Sequence, residues 1–311
     1  MIPTTELHLE VAAQSHAGET GKNNEDAFFF SGYRLESDGT PAVVAIVADG
    51  VGGHRAGEIA SRLAVDTASK RISEASGADP ISQIRAAIVE AGRTISTASE
   101  ALPEQQGMAS TIAVVWVIGS RLYTAYTGDS RIYLLRGGRL QQTTIDHSWI
   151  QEAIEHKIIT PVEARTHPNA HILRRYLGGN VEPQPDFRLR LESSDSDGHA
   201  IEHQGTALEP GDQILLCTDG LTDLVRDEEI RAALLKGPPA ESTAALVVLA
   251  RARGGHDNIT TIVLGVPGTP GATPRRRAPR FVVIGAAVLA LIVTILLGLA
   301  AAWTLGFWPW G

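Results

Sequence analysis

Three short acidic signatures limit what this chain can fold into: Ala48-Asp49-Gly50-Val51-Gly52-Gly53, Thr218-Asp219-Gly220-Leu221-Thr222-Asp223 and Asp257-Asn258-Ile259-Thr260. Each sets an aspartate at one end of an apolar, β-like run: Val43 to Val47, Ile214 to Leu216, and Ile259 to Val266. Carboxylates at strand ends can meet at one rim of a β core although they lie far apart in sequence. Hard, oxygen-only clusters of that kind suit Mg²⁺ or Mn²⁺ better than zinc or copper. The residues alone therefore point to a two-metal hydrolase acting on phosphate esters.

The 311 residues allow one large domain or two small ones. A net charge of −8 argues against general nucleic-acid binding, which needs a basic face to neutralise phosphates. Cys217 is the only cysteine, so neither a disulfide framework nor a Cys-rich zinc site is available. Its apolar setting, Ile214-Leu215-Leu216-Cys217, predicts a buried thiol with nothing nearby to activate it.

No basic and apolar leader opens the chain at Met1-Ile2-Pro3-Thr4-Thr5-Glu6. From Phe281 to Trp310 there is no charged residue, and a helix needs ~20 apolar residues to cross a bilayer core of ~30 Å. Arg275-Arg276-Arg277 and Arg280 precede this stretch and would stay in the cytoplasm, with Trp303, Trp308 and Trp310 at the far interface. The Pro- and Gly-rich segment Val266 to Pro274 reads as a flexible tether. The expected organisation is a main cytoplasmic domain over 1–266, a Pro/Gly/Arg-rich linker over 267–280, one C-terminal transmembrane helix over 281–303 and a short extracytoplasmic tail over 304–311. The expected location is thus the cell membrane, single-pass.

Within the main domain, Ile59, Leu63 and Ile72 share one helical face, and Ile81, Ile84, Ile88, Ala91 and Ile95 share another. Asp79-Pro80 supplies an N-cap followed by proline at the first helical position. A third helix is expected over Ala240 to Ala252, and the Ser/Asp run Ser193 to Gly198 reads as an exposed loop. Between the helices the chain is strand-rich, with one hairpin through Gly119-Ser120 and another through Gly137-Gly138. Successive hairpins mean antiparallel pairing, because parallel strands need long crossovers. This counts against a doubly wound nucleotide fold and predicts an α+β layered architecture.

Further carboxylates sit at similar places. Asn24-Glu25-Asp26 precedes Ala27-Phe28-Phe29-Phe30, Thr127-Gly128-Asp129-Ser130-Arg131 lies between the hairpins, and Asp223 follows Asp219 across Gly220. Gly50, Gly52 and Gly53 would let backbone approach an ion or a phosphate closely.

In this order the motifs resemble the metal-dependent PP2C-type (PPM) protein serine/threonine phosphatases, in particular the bacterial membrane-anchored members. The resemblance covers about Ala13 to Val266 and rests on Asn24-Glu25-Asp26, Asp49 to His54, Gly57-Glu58, Gly128 to Arg131, Asp219 to Asp223 and Asp257-Asn258. Asp146-His147-Ser148 with His167-Pro168 is similar to the flap segment of bacterial members. The resemblance implies a β-sandwich of two antiparallel sheets flanked by helices, in α-β-β-α layers, with a metal cleft at one end. Asp49 would bridge two Mn²⁺ or Mg²⁺ ions, the Gly50 carbonyl would bind one, and Asp219 and Asp257 would complete the other's shell. Glu25 and Asp26 would hold metal-bound waters, and Asp129 with Asp223 would form a third, weaker site. The implied reaction is hydrolysis of phosphoserine and phosphothreonine in proteins by a water bridging the metals, with no covalent phosphoenzyme. The implied partners are phosphorylated proteins, including a membrane Ser/Thr kinase and its substrates.

One departure stands out. The family's phosphate-clamping arginine position is Gly21 here, with Lys22 beside it, and lysine supplies charge without a bidentate fork. That departure keeps a second expectation open, a catalytically weak metal-binding scaffold that recognises phosphoproteins. Of the histidines, His54 is the candidate for proton delivery, while His147, His167 and His256 are expected in structural or solvent roles.

Overall fold

Residues of opposite parity along one apolar run, Val43 to Ala48, face two different cores. Val44, Ile46 and Ala48 pack with Ala60, Ala64, Ile84 and Ile88, whereas Val43, Ala45 and Val47 pack with Ile214, Leu216, Ile262 and Leu264. Successive strand side chains point to opposite faces, so a strand covered on both sides has to be apolar throughout. The whole run is buried in consequence.

The computed structural model describes residues 1–268 apart from Gly53, His54, Arg165, Thr166, Asn180 and Val181. The expected linker beyond Gly268, the membrane span, the tail and His54 lie outside the described residues. Among the described residues, no helix is long and apolar enough to cross a membrane.

In chain order the strands are Ile2–Thr4 (β1), Glu10–His16 (β2), Asp26–Arg34 (β3), Pro41–Val51 (β4), Ala109–Ser110 (β5), Ile112–Ile118 (β6), Arg121–Thr127 (β7), Arg131–Arg136 (β8), Arg139–Gln142 (β9), Thr206–Ala207 (β10), Gln213–Cys217 (β11) and Ile259–Gly265 (β12). The helices are Arg55–Ser73 (α1), Pro80–Ala101 (α2), Trp149–Glu155 (α3), Pro161–Ala164 (α4), Asp197–Glu202 (α5), Asp219–Thr222 (α6), Asp227–Leu234 (α7) and Pro239–Ala252 (α8). One sheet runs β1-β3-β4-β6-β7-β10, with β5 on β4, and the other runs β2-β12-β11-β8-β9. Every strand pair is antiparallel. Helices α1 and α2 cover the outer face of the first sheet through Ile72, Ile84, Ile88 and Ile95. On the outer face of the second, Leu215, Cys217 and Val263 pack with Ile230, Leu234, Leu246 and Val247 of α7 and α8. The layers are therefore α-β-β-α, as expected.

Local chemistry sets the element ends. The Asp79 carboxylate accepts the Ser82 N–H at 3.1 Å and Pro80 opens α2. Gly137 and Gly138 take φ values of +56° and +78°, the left-handed pair that a primed hairpin turn between β8 and β9 requires. The run Ser193 to Gly198 departs from expectation in its second half. Ser196 caps α5 by accepting the His199 N–H, so a segment without periodicity in sequence still starts a short helix.

Topology gathers the acidic signatures at one end. Asp26 begins β3 directly opposite Asp49 near the end of β4, and β11 ends just before Asp219. Asp257-Asn258 leads into β12, the neighbour of β11. Gly128-Asp129-Ser130 is the short crossing from β7 in one sheet to β8 in the other. Because Leu216 fills the space between the sheets beneath this rim, Leu216→Ala should cost about 2–5 kcal/mol, measured by denaturant unfolding of the chain.

Candidate metal centre

Asp49 is held by its backbone. Its N–H donates to Thr111 Oγ1 at 2.9 Å, and its carbonyl accepts from Ser110 Oγ at 2.9 Å and Thr111 N–H at 2.8 Å. The next residue has no room for a side chain: a Cβ on Gly50 would come within 2.0 Å of the Gly57 carbonyl oxygen and 2.7 Å of that of Glu25. A Cβ on Gly57 would meet the Glu25 carboxylate at 2.2 Å, and one on Gly220 would meet the Asn258 carbonyl at 2.0 Å. These glycines are close-approach positions that let three chain segments converge on the carboxylates.

Hydrogen bonds from the second sheet fix Asp26. Thr218 Oγ1 donates to Asp26 Oδ2 at 2.9 Å and accepts the Thr260 N–H at 3.0 Å, so one buried hydroxyl joins β3 to β11 and β12. Asn258 does the same for the preceding loop. Its Oδ1 accepts the Glu25 N–H at 2.7 Å, and its Nδ2 donates to the carbonyls of Ala17 and Asn23, each at 3.1 Å. The result is a cleft of about 330 Å³ lined by Lys22, Glu25, Asp49, Gly50, Asp129, Asp219 and Asp257. Asp223 stands outside it, in an adjoining groove of about 400 Å³ that shares Asp129, His171 and Asp219 with the cleft.

The electrostatics of the cleft are unfavourable for bare carboxylates. Burial, reinforced by the charges of Asp219, Asp26 and Asp129, pushes Asp49 well above the ordinary range. Burial likewise raises Asp129, with Asp219 and Asp146 adding to it. Burial raises Asp26 to about 7 despite hydrogen bonds from Thr260 and Thr218. Asp219 is pushed up to about 6 by burial first and then by the charge of Asp223. Asp26 Oδ1 and Asp219 Oδ1 are buried without a hydrogen-bond partner. Oxygens of that kind are costly unless something positive meets them, and a hard divalent cation fits this all-oxygen donor set.

His171 is a member that the sequence did not single out. Donor atoms of His171, Asp219 and Asp223 lie within 4.8 Å of one another, with His171 Nδ1 3.6 Å from Asp223 Oδ2. Thr218 and Thr260 were also missed. Both stand inside the acidic signatures without a role of their own, and only the pairing of the sheets aims their polar groups at Asp26. His167 stacks on Trp149 with ring centroids 4.8 Å apart, and its Nδ1 accepts the Asn169 N–H, a structural role as expected. Cys217 is buried on the helix-covered face of its sheet, where burial pushes the thiol far above its usual range.

A family profile described as protein phosphatase 2C matches residues 13–237. This chain belongs to that family. It is 36% identical over 260 residues to the serine/threonine protein phosphatase PstP of Mycobacterium tuberculosis, covering 84% of this chain and 45% of that one. It is 32% identical over 262 residues to the protein phosphatase PhpP of Streptococcus pneumoniae, covering 83% of this chain and 98% of the relative. The chain thus spans under half the length of the mycobacterial relative and nearly all of the streptococcal one. Among solved structures, the catalytic domain of PstP in complex with 2 manganese ions superposes with a TM-score of 0.68 at 34% identity, covering 83% of this chain and 97% of that one. Stp1 from Staphylococcus aureus gives a TM-score of 0.72 at 27% identity, covering 86% and 98%.

A consequence for stability follows from the raised carboxylates. Asp26 and Asp219 keep their protons to higher pH in the fold than in the unfolded chain. The folded state therefore binds more protons between the ordinary carboxylate range and about pH 7, and the metal-free protein loses stability as pH rises through that window. Asp26→Asn should raise the thermal midpoint of metal-free protein at about pH 8, by about 2–4 °C per kcal/mol recovered, and change it little at about pH 4. Saturating Mn²⁺ should remove that advantage, as read by calorimetric melting with and without EDTA.

Proposed function

We propose that this chain hydrolyses phosphoserine and phosphothreonine in proteins, using Mn²⁺ or Mg²⁺ held in the acidic cleft, and that it reverses Ser/Thr kinase signalling at the membrane. The observation that carries this reading is the convergence of Asp26, Asp49 and Asp219, with two buried carboxylate oxygens left without partners. Relatives named as serine/threonine protein phosphatases support the substrate class.

Asp49, Asp219 and Asp257, with the Gly50 carbonyl, would hold two ions, while Glu25 and Asp26 would hold the waters around those ions. His171, Asp219 and Asp223, whose donor atoms lie within 4.8 Å of one another, would hold a third, more exposed ion with Asp129 in the same groove. Bound divalent ions would supply Lewis acidity and an activated water for in-line attack on phosphorus. Lys22 lines the same cleft and would meet the substrate phosphate as a point charge. Gly21 beside it takes φ +74°, a left-handed conformation that suits glycine, so a side chain at that position would strain the backbone. The adjoining groove past Asp223 gives a phosphorylated segment somewhere to lie. Cys217 takes no part.

The apolar span 281–303 behind Arg275-Arg276-Arg277 supports a membrane tether with the catalytic part on the cytoplasmic side. Holding enzyme, membrane kinase and kinase substrates in one membrane raises their effective concentration without new contacts. The 311-residue chain should hydrolyse an aryl phosphate and a phosphothreonine peptide only with Mn²⁺ or Mg²⁺ present. Asp219→Asn should lose on the order of 100-fold or more in kcat/KM while its far-UV spectrum stays unchanged. Gly21 favours a second reading, a phosphoprotein-binding scaffold. Metal-dependent peptide binding without turnover by the wild-type chain would support the scaffold and overturn hydrolysis.

A further inference from the structure

His147 is almost fully buried, yet both of its ring nitrogens are engaged. Nδ1 accepts the backbone N–H of Gly128 at 3.1 Å, and Nε2 lies 3.1 Å from Asp186 Oδ2. An N–H donor facing Nδ1 requires a lone pair there, so the proton sits on Nε2 and is donated to Asp186. The ring stacks on Tyr126, with centroids 5.1 Å apart. Asp186 is anchored in turn by Arg188, whose Nε and Nη2 donate to it at 2.9 Å and 2.5 Å, and by backbone pairing with Tyr126. Hydrogen bonds from His147 and Arg188 outweigh its burial and hold Asp186 well below the usual carboxylate range.

What this anchor grips is the crossing that carries Asp129. Gly128 takes φ +110°, and a Cβ there would collide with Thr111 at 2.6 Å, so the turn has no side chain of its own to hold it on that side. The His147 N–H also donates to the Gly128 carbonyl at 3.0 Å, which makes the grip two-sided. Beyond Asp129, Ser130 Oγ is 2.7 Å from Thr111 Oγ1, the same oxygen that accepts the Asp49 N–H. On its other side, the His147 carbonyl accepts the Arg174 N–H at 2.7 Å, and Ser148 pairs with Leu173. Leu173 and His171 line the metal cleft.

We propose that His147 is a positioning residue. Through Nδ1 it sets the Gly128-Asp129-Ser130 turn relative to Asp49, and through its backbone it joins that turn to the 171–174 segment at the mouth of the cleft. The role of Asp129 rests on the function proposed above; the hydrogen-bond assignment does not.

Two variants separate the two nitrogens. In His147→Asn the amide oxygen falls near the place of Nδ1 and keeps an acceptor for Gly128, whereas His147→Gln puts its amide nearer Nε2 and loses that acceptor. In the 311-residue chain, His147→Gln should speed exchange of the Gly128 amide hydrogen and weaken the Mn²⁺ site containing Asp129 by about 10-fold, read by calorimetric titration. His147→Asn should retain most of both. Equal behaviour of the two variants would mean that His147 only fills space, and would overturn the proposal. Ring ¹⁵N spectra of the wild type supply a test that needs no variant: a proton on Nδ1 instead of Nε2 sinks the assignment outright. If the wild type bound Mn²⁺ but hydrolysed nothing, the proposed reaction would fall while the exchange and tautomer readings still judged His147.

Discussion

Like-charge repulsion among buried carboxylates is the constraint on which the rest of this structure depends. Asp26, Asp49, Asp129 and Asp219 are pressed together where water is scarce, and each is driven above its ordinary range by burial. Left alone, such a cluster opposes folding. It persists because apolar strands running between two cores, and hydrogen bonds from both sheets, over-determine where those side chains go. A divalent cation would turn the same repulsion into binding energy, so the cost of the cluster in the metal-free fold and its affinity for metal have one origin.

The scaffold meets this cost with few parts. Thr218 ties a first-sheet carboxylate to two second-sheet strands with one hydroxyl. Asn258 uses all of its amide to fasten the loop before β3. Thr111 receives the Asp49 amide and meets Ser130 through the same oxygen. Each of these residues is buried, and each links segments far apart in the chain. Their loss would misplace a carboxylate rather than remove one.

The glycines complete the arrangement by subtraction. At Gly50, Gly57 and Gly220 a methyl group would overlap backbone or carboxylate atoms of a neighbouring segment. Asp-Gly pairs at the strand ends thus serve two purposes at once: the aspartate places a carboxylate at the rim of the cleft and the glycine lets another segment come close beside it. This explains why the acidic signatures are readable as motifs at all, since the packing restricts both positions.

Much was legible in the chain itself. Unbroken apolar runs such as Val43 to Ala48 announced strands, the Asp79-Pro80 pair announced the start of α2, and Gly137-Gly138 announced a hairpin, because these depend on local sterics and side-chain alternation. The acidic signatures named Asp49, Asp219 and Asp257 as one site, since ligand chemistry demands carboxylates of that kind. Sequence could not reveal that Thr218 and Thr260 serve Asp26, that His171 stands beside Asp219 and Asp223, or that Asp186 fixes the ring of His147. Nor could it show that Ser196 would start a helix inside an acidic loop. Those facts belong to tertiary structure: a neutral Thr or His carries no local signal of its partner, and only the stacking of two antiparallel sheets decides which distant groups come within hydrogen-bonding distance.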